Sequence, residues 1–180
     1  MSVPKLRFKE FKEKWKEKKL GEITLKVGSG STPRGGESVY QSKGIPFIRS
    51  QNVKNESLML DDLVYISEDI NSQMQGSIVK ADDILLNITG ASIGRTCVVP
   101  SNFKTGNVNQ HVCIIRLKDG YSSNFLQPYL SSDRGQKSIS SSQVGSGREG
   151  LNFQAIRLFR IAMPSFQEQN KIADFLMSVD

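Results

Sequence analysis

The chain has 180 residues, 37% of them hydrophobic, with a mean hydropathy of −0.35 and a formal net charge of +6. Those values fit one soluble domain with a core of its own, and no apolar run approaches the roughly 20 residues a membrane-crossing helix needs. They exclude a uniformly basic nucleic-acid binder, because Met1–Lys19 holds eight basic residues against three acidic ones while the remainder holds 16 against 15.

The N-terminus, MSVPKLRFKEFKEKWKEKKL, has no apolar h-region and does not read as a secretory leader. Phe8, Phe11 and Trp15 fall at i, i+3 and i+7, which predicts an N-terminal amphipathic helix within residues 1–21, closed by Gly21. Its lysines read either as a solvated face or as phosphate contacts. Glu22–Val27 alternates as a strand, and GSGSTPRGGE (28–37) follows with dense turn chemistry. That segment lacks the G-x-x-x-x-G-K-[ST] spacing of a phosphate loop; it is either a flexible turn or a recognition loop offering Ser31, Thr32 and Arg34.

Gly44–Val53 is strand-like at Ile45–Ile48, then turns polar at Arg49, Ser50, Gln51 and Asn52. Arg suits guanine O6/N7, and Asn or Gln suits adenine N6/N7, although polar strand ends are also commonly just solvated. Leu63–Ile66 predicts a short strand, and a helical segment begins near Ser67. The region Ala81–Leu117 carries three Ile/Val-rich runs, Ile84–Ile88, Thr96–Val99 and Val112–Leu117, which read as strands of a packed sheet. Polar loops join them: Thr89–Gly94 with Ser92 and the flanking Arg95, then Ser101–Gln110 with Lys104, Asn107, Asn109 and Gln110. A regular strand through Asn107–Ile115 would put Asn107, Asn109, His111 and Cys113 on one face. One histidine and two distant cysteines assemble no metal site, and His111 reads as structural or as a ligand. Cys97 and Cys113 read as buried free thiols of a cytoplasmic protein.

Tyr121–Arg134 predicts a short helix that Pro128 kinks or breaks. KSISSSQVGSGREGLN (137–152) reads as a long Ser/Gly loop carrying Lys137, Gln143, Arg148 and Asn152. Leu158–Met163 is the last strand. Ser165 and Glu168 then form a capping box opening a helix with an apolar stripe at Ile172, Phe175, Leu176 and Val179. No Gly or Pro closes that helix, so it is expected to continue, in a longer parent chain, as a coiled coil or bundle. The pattern as a whole predicts an α+β fold on a twisted mixed or antiparallel sheet.

Several stretches, in this order, resemble a target-recognition domain of the specificity (S) subunit of a Type I restriction–modification enzyme. They are Trp15 with Leu20-Gly21-Glu22, Gly30-Ser31-Thr32-Pro33, Gly44-Ile45-Pro46-Phe47-Ile48-Arg49, and Asp83-Ile84-Leu85 leading to Gly90-Ala91-Ser92-Ile93-Gly94-Arg95. Asn109-Gln110 and the closing Met163-Pro164 with Glu168-Gln169-Asn170-Lys171-Ile172-Ala173-Asp174-Phe175-Leu176 complete the set. The resemblance implies two such domains per S subunit, each reading half of a bipartite DNA target. It further implies long paired spacer helices that hold modification subunits, which use S-adenosylmethionine to methylate adenine, and separate restriction subunits that use ATP and Mg. Residues 1–163 would then be the recognition domain and 164–180 the start of a spacer helix, with Ile172, Phe175, Leu176 and Val179 facing a partner helix. The domain itself would hold no cofactor, metal or catalytic residue. Consistent with that, the sequence has no S-adenosylmethionine turn and no N-P-P-Y or D-P-P-Y motif, and its E-x-K triplets lie in the charged N-terminal segment.

The loops Ser29–Arg34, Arg49–Asn52, Thr89–Arg95, Asn107–His111 and Gln143–Asn152 are expected to converge on the major groove of duplex DNA, where all four base pairs are distinguishable. Arg49, Asn52, Asn109, Gln110 and Arg148 are the candidate base readers, supported by Ser31, Thr32, Arg34, Ser50, Thr89, Ser92, Arg95, Asn107, Gln143 and Asn152. Lys104, Lys137 and the N-terminal lysines would position the backbone. The competing readings are a protein-interaction module that docks through the C-terminal helix, and a recognition domain from a fused methyltransferase or nuclease.

Overall fold

The computed structural model describes residues 4, 6–143 and 150–179. The strands are β1 (Lys16–Lys19), β2 (Thr24–Ser29), β3 (Ile45–Ile48), β4 (Val64–Ile66), β5 (Ile78–Val79), β6 (Ile84–Asn87), β7 (Thr96–Val98), β8 (Gly106–Val108), β9 (Val112–Leu117) and β10 (Arg160–Met163). The α-helices are α1 (Leu20–Ile23), α2 (Glu68–Gln73), α3 (Ser123–Ser131), α4 (Asp133–Ser141), α5 (Phe153–Arg157) and α6 (Phe166–Val179). None of these helices is long and apolar enough to cross a membrane.

Two four-stranded sheets stack face to face. The first has the order β2-β9-β6-β7, antiparallel throughout. The second has the order β4-β3-β8-β5, in which β3 and β8 run parallel and the other pairs antiparallel. Alternation along the first sheet sorts its side chains onto two faces. Leu86, Cys113 and Ile115 face a helical layer that supplies Leu126 and Leu130 of α3, Ile139 of α4 and Ile156 of α5. Leu85, Cys97 and Ile114 face the second sheet, meeting Ile48, Val79 and Val108. The outer side of the second sheet is covered around Phe47, Ile66 and Met74, with Ile70 of α2 packed against them. A sheet buried on both faces needs apolar residues at consecutive positions, which is why Ile84–Leu86 and Val112–Ile115 read as unbroken runs. Both cysteines are free and buried, and they point to opposite faces of one sheet.

Four sequence expectations are corrected. The N-terminal amphipathic helix does not form: residues 6–15 run irregularly, and Lys16–Lys19 pairs antiparallel with β10, Lys16 opposite Met163. Two of the three aromatics instead pack separately along an irregular path that turns between Phe8 and Phe11. Phe8 packs edge-on against Phe175 of α6 at 5.9 Å, and Trp15 against Phe125 of α3 at 6.1 Å. The regular strand through Asn107–Ile115 is broken at Asn109–His111, and its halves β8 and β9 belong to different sheets. The Ser/Gly segment is helical as far as Ser141, because Ser132 caps α4 by accepting from Gly135 N and Ile139 is drawn into the core. At the start of α6, Ser165 Oγ accepts from Glu168 N at 3.4 Å, but the Glu168 carboxylate turns away from the cap. It accepts from Arg7 Nε and Nη2 at 2.6 and 2.7 Å and from Trp15 Nε1 at 3.1 Å.

Candidate functional site

The loops that end β2, β3, β6 and β8 meet at one rim of the two sheets. Gly30 begins the junction: its N–H donates to Asn109 O, and a Cβ there would lie 1.7 Å from Val108 O, so only glycine permits the approach. Asn109 N donates to Ile48 O, which ties the same turn to the end of β3. Asn87 Nδ2 donates to Ser50 O at 2.8 Å and to Ser92 Oγ at 3.1 Å, joining the β3 and β6 loops from below. Gly90 and Gly94 hold φ of +70° and +90°, which turns the Thr89–Arg95 loop tightly. The fifth segment arrives through Leu151 N, which donates to Ile88 O, and an isolated bridge between Thr89 and Gly150.

Above these braces lies a shallow concavity lined by Ser50, Gln51, Thr89, Ser92, Arg95 and His111. Thr89 Oγ1 is 2.5 Å from His111 Nδ1, Gln110 Nε2 is 2.9 Å from His111 Nε2, and Thr32 Oγ1 donates to Gln110 Oε1 at 2.7 Å. Arg95 on the concavity wall is exposed, as are Ser31 and Arg34, which flank Thr32 in the sequence. Arg49 is half-buried, its guanidinium 5.9 Å from the Tyr40 ring centroid and its buried Nε without a hydrogen-bond partner. The rim thus carries hydroxyls, amides and two exposed guanidinium groups on a braced base.

Other predicted residues are placed differently. Asn52 is 1% exposed; its Oδ1 accepts from Arg49 N and its Nδ2 donates to Asp62 O, so it shapes the loop from within. Asn107 is fully buried, donating to Asn71 Oδ1 and Met74 O while accepting from Ser77 Oγ and Val108 N. Asn109 is buried and its Oδ1 accepts from His111 N. These three asparagines brace the rim, and their expected presentation at its surface is corrected. Asn152 Oδ1 caps α5 through Ala155 N. Lys104 lies in the exposed loop before β8, at the opposite end of that strand from Asn109, and is not gathered with the rest. Lys137 is exposed on α4, next to Gln136, whose Nε2 donates to Gly94 O. Gln143 is half-buried just beyond α4. Arg148 lies outside the described residues.

The predicted partner-facing stripe on α6 divides. Ile172 packs into the domain's own core, whereas Phe175 and Val179 are 52% and 62% exposed and Leu176 is half-buried. Gln51, read from the sequence as part of the polar Arg49–Asn52 loop, lies on the concavity wall, while two features escaped the sequence reading: the buried Asn87 brace and the Asp83–Arg116 pair. In that pair Arg116 Nε and Nη2 contact the two Asp83 oxygens at 2.8 and 2.7 Å. The motif Asp83-Ile84-Leu85 held a signal for the last, since a carboxylate before a fully apolar strand requires a buried partner.

Among the described residues no cluster of three or more His, Cys, Asp or Glu could hold a metal ion. The stacked sheets thus bring four loops, together with Gly150 and Leu151, to one braced polar rim. The chain belongs to the Type I restriction modification DNA specificity domain family, whose pattern it matches over residues 12–180. By that membership it is a DNA specificity domain. It is 32% identical over 132 residues to the Type I restriction enzyme EcoBI specificity subunit of Escherichia coli, covering 72% of this chain and 27% of that protein. Its fold matches the HsdS subunit from Thermoanaerobacter tengcongensis with a TM-score of 0.66 at 17% identity, over 98% of this chain and 39% of the other. The S subunit of the Type I system of M. genitalium matches with a TM-score of 0.67 at 14% identity, over 98% and 41%. A chain from a structural study of type I R-M complex assembly and conformational transition matches with a TM-score of 0.69 at 16% identity, over 94% and 39%. The chain therefore spans about a quarter of its curated relative and about two-fifths of these solved structures.

Proposed function

We propose that the domain binds duplex DNA in the major groove and reads one half of a bipartite target. In the complete assembly, partner modification subunits would bind S-adenosylmethionine and methylate adenine at that target, and restriction subunits would supply ATP- and Mg-dependent cleavage, all in the cytoplasm. Residues 1–163 would carry recognition. The exposed part of α6 would begin a spacer toward a second recognition domain or a second copy of the chain.

One observation carries this reading. The concavity between the β3 and β6 loops offers side chains that can bond base edges and phosphates, on a base braced by Asn52, Asn87, Asn107 and Asn109. Preorganised polar groups on rigid elements are what discriminating readout requires. Arg34 and Arg95 beside it supply charge for the backbone.

The test is selection from random duplexes with the purified chain, alone and with a modification partner, followed by an adenine-methylation assay. An enriched sequence in either condition, with methylation only when the partner is present, is the expected result. No enrichment in either condition overturns DNA recognition. Methylation by the chain alone overturns its non-catalytic assignment.

A further inference from the structure

The chain contains a single histidine, and its two ring nitrogens are both engaged at the rim. With the Gln110 oxygen toward Thr32 and its amide nitrogen toward the ring, the directions of these bonds follow. Thr32 Oγ1 donates its one proton to Gln110 Oε1, which orients the amide so that Nε2 faces the ring. An amide nitrogen donates and does not accept, so His111 Nε2 is the acceptor and carries no hydrogen. The neutral ring then holds its hydrogen on Nδ1, which donates to Thr89 Oγ1. His111 is itself fixed, because its N–H donates to Asn109 Oδ1 and its carbonyl accepts from Ile88 N.

We propose that His111 is a positioning residue for DNA readout, whose Nδ1–H tautomer sets the hydrogen-bonding polarity of Gln110 and Thr32 and thereby selects adenine over guanine at one position of the target. This rests on the DNA-recognition reading and adds the base class to it. With its proton committed inward, Thr32 presents only oxygen lone pairs outward. Gln110, its oxygen committed to Thr32, presents its second N–H. A donor beside an acceptor complements the N7 acceptor and N6 amino group of adenine in the major groove. Guanine offers two acceptors there, and the Thr32 oxygen would face one of them with no hydrogen between. A ring with hydrogen on Nε2 would oppose two donors, forcing the Gln110 amide to turn over and Thr32 to point its hydroxyl proton outward.

Two measurements test the relay. The imidazole nitrogens of a lone histidine give unambiguous long-range 1H–15N spectra, and the free protein is expected to show a neutral Nδ1–H ring; an Nε2–H ring overturns the proposal without any DNA. Duplex selection with the wild type, His111→Gln and His111→Leu gives the second readout, with thermal melts to confirm folding. Glutamine keeps an acceptor at the place of Nε2 and is expected to preserve the wild-type sequence profile. Leucine removes it and is expected to lower the adenine-over-guanine preference at one position roughly fivefold, the worth of about one hydrogen bond, while other positions hold. An unchanged profile in His111→Leu, or a loss spread evenly over all positions, overturns the positioning role. If the wild type enriches no sequence, the recognition reading fails and the base assignment with it, while the ring spectrum still judges the hydrogen-bond chain.

Discussion

Glu168 has almost no contact with solvent, and it holds both oxygens against Arg7 and one against the Trp15 indole. The pair is not a surface ion pair of small worth; removing one partner strands the other beside a poorly hydrated neighbour. Glu168→Ala is expected to lower the urea midpoint, with early proteolytic cleavage within residues 6–15, since Arg7 then keeps only Glu13 O as a partner. An unchanged midpoint would mean that water replaces the carboxylate. Arg95 represents the opposite case, exposed and without a side-chain partner among the described residues. Arg95→Ala is expected to leave stability within about 0.5 kcal/mol of the wild type. If it binds phosphate, affinity drops about uniformly over all sequences and the salt slope shrinks by about one; a drop confined to one target position would make it a base reader.

The cysteines show what an element imposes on its residues. Burial on either side of the first sheet pushes the Cys97 and Cys113 thiols from their ordinary 9.0 up to about 12. Unfolded chains would ionise them above pH 9 while the folded protein keeps them protonated. The stabilisation is therefore complete below pH 9 and declines between 9 and 12. The melting temperature is expected to fall more steeply above pH 9 in the wild type than in a Cys97→Ala/Cys113→Ala variant. At about pH 8 iodoacetamide should label neither thiol until urea is added, and labelling of the native protein would show that the sheet opens locally. The sheet strands themselves were legible in the sequence because burial on both faces leaves runs such as Ile84–Ile88. The N-terminal helix was misread for a related reason. Phe8, Phe11 and Trp15 have helical spacing, but spacing does not reveal that β10 offers Lys16–Lys19 an open edge or that Glu168 pulls Arg7 and Trp15 across. The rim shows the same division. Its loops were located by Gly, Ser and Asn content, whereas the inward turn of Asn52, Asn107 and Asn109 depends on partners such as Met74 and Asp62 from distant segments.

At the scale of the whole molecule, function is divided between a rim and a helix. The rim is immobilised from beneath by asparagines and a glycine that admits no side chain, so its outward groups keep their geometry before any ligand arrives, and binding then costs less ordering. The helix α6 is anchored at its start through Glu168, Gln169 and Ile172, while Phe175, Met177 and Val179 stay exposed. The pairing of β1 with β10 has a consequence in time. Within this domain the first strand finds its partner only in the last, and β2 waits likewise for β9. Closing such long loops comes before any reward from the contacts they enable, which places the domain among slow folders. On the ribosome, the first sheet can be completed once Leu117 has emerged, but the ribbon must wait for Met163, so the lysines of β1 also help to keep an unpaired strand soluble while it waits.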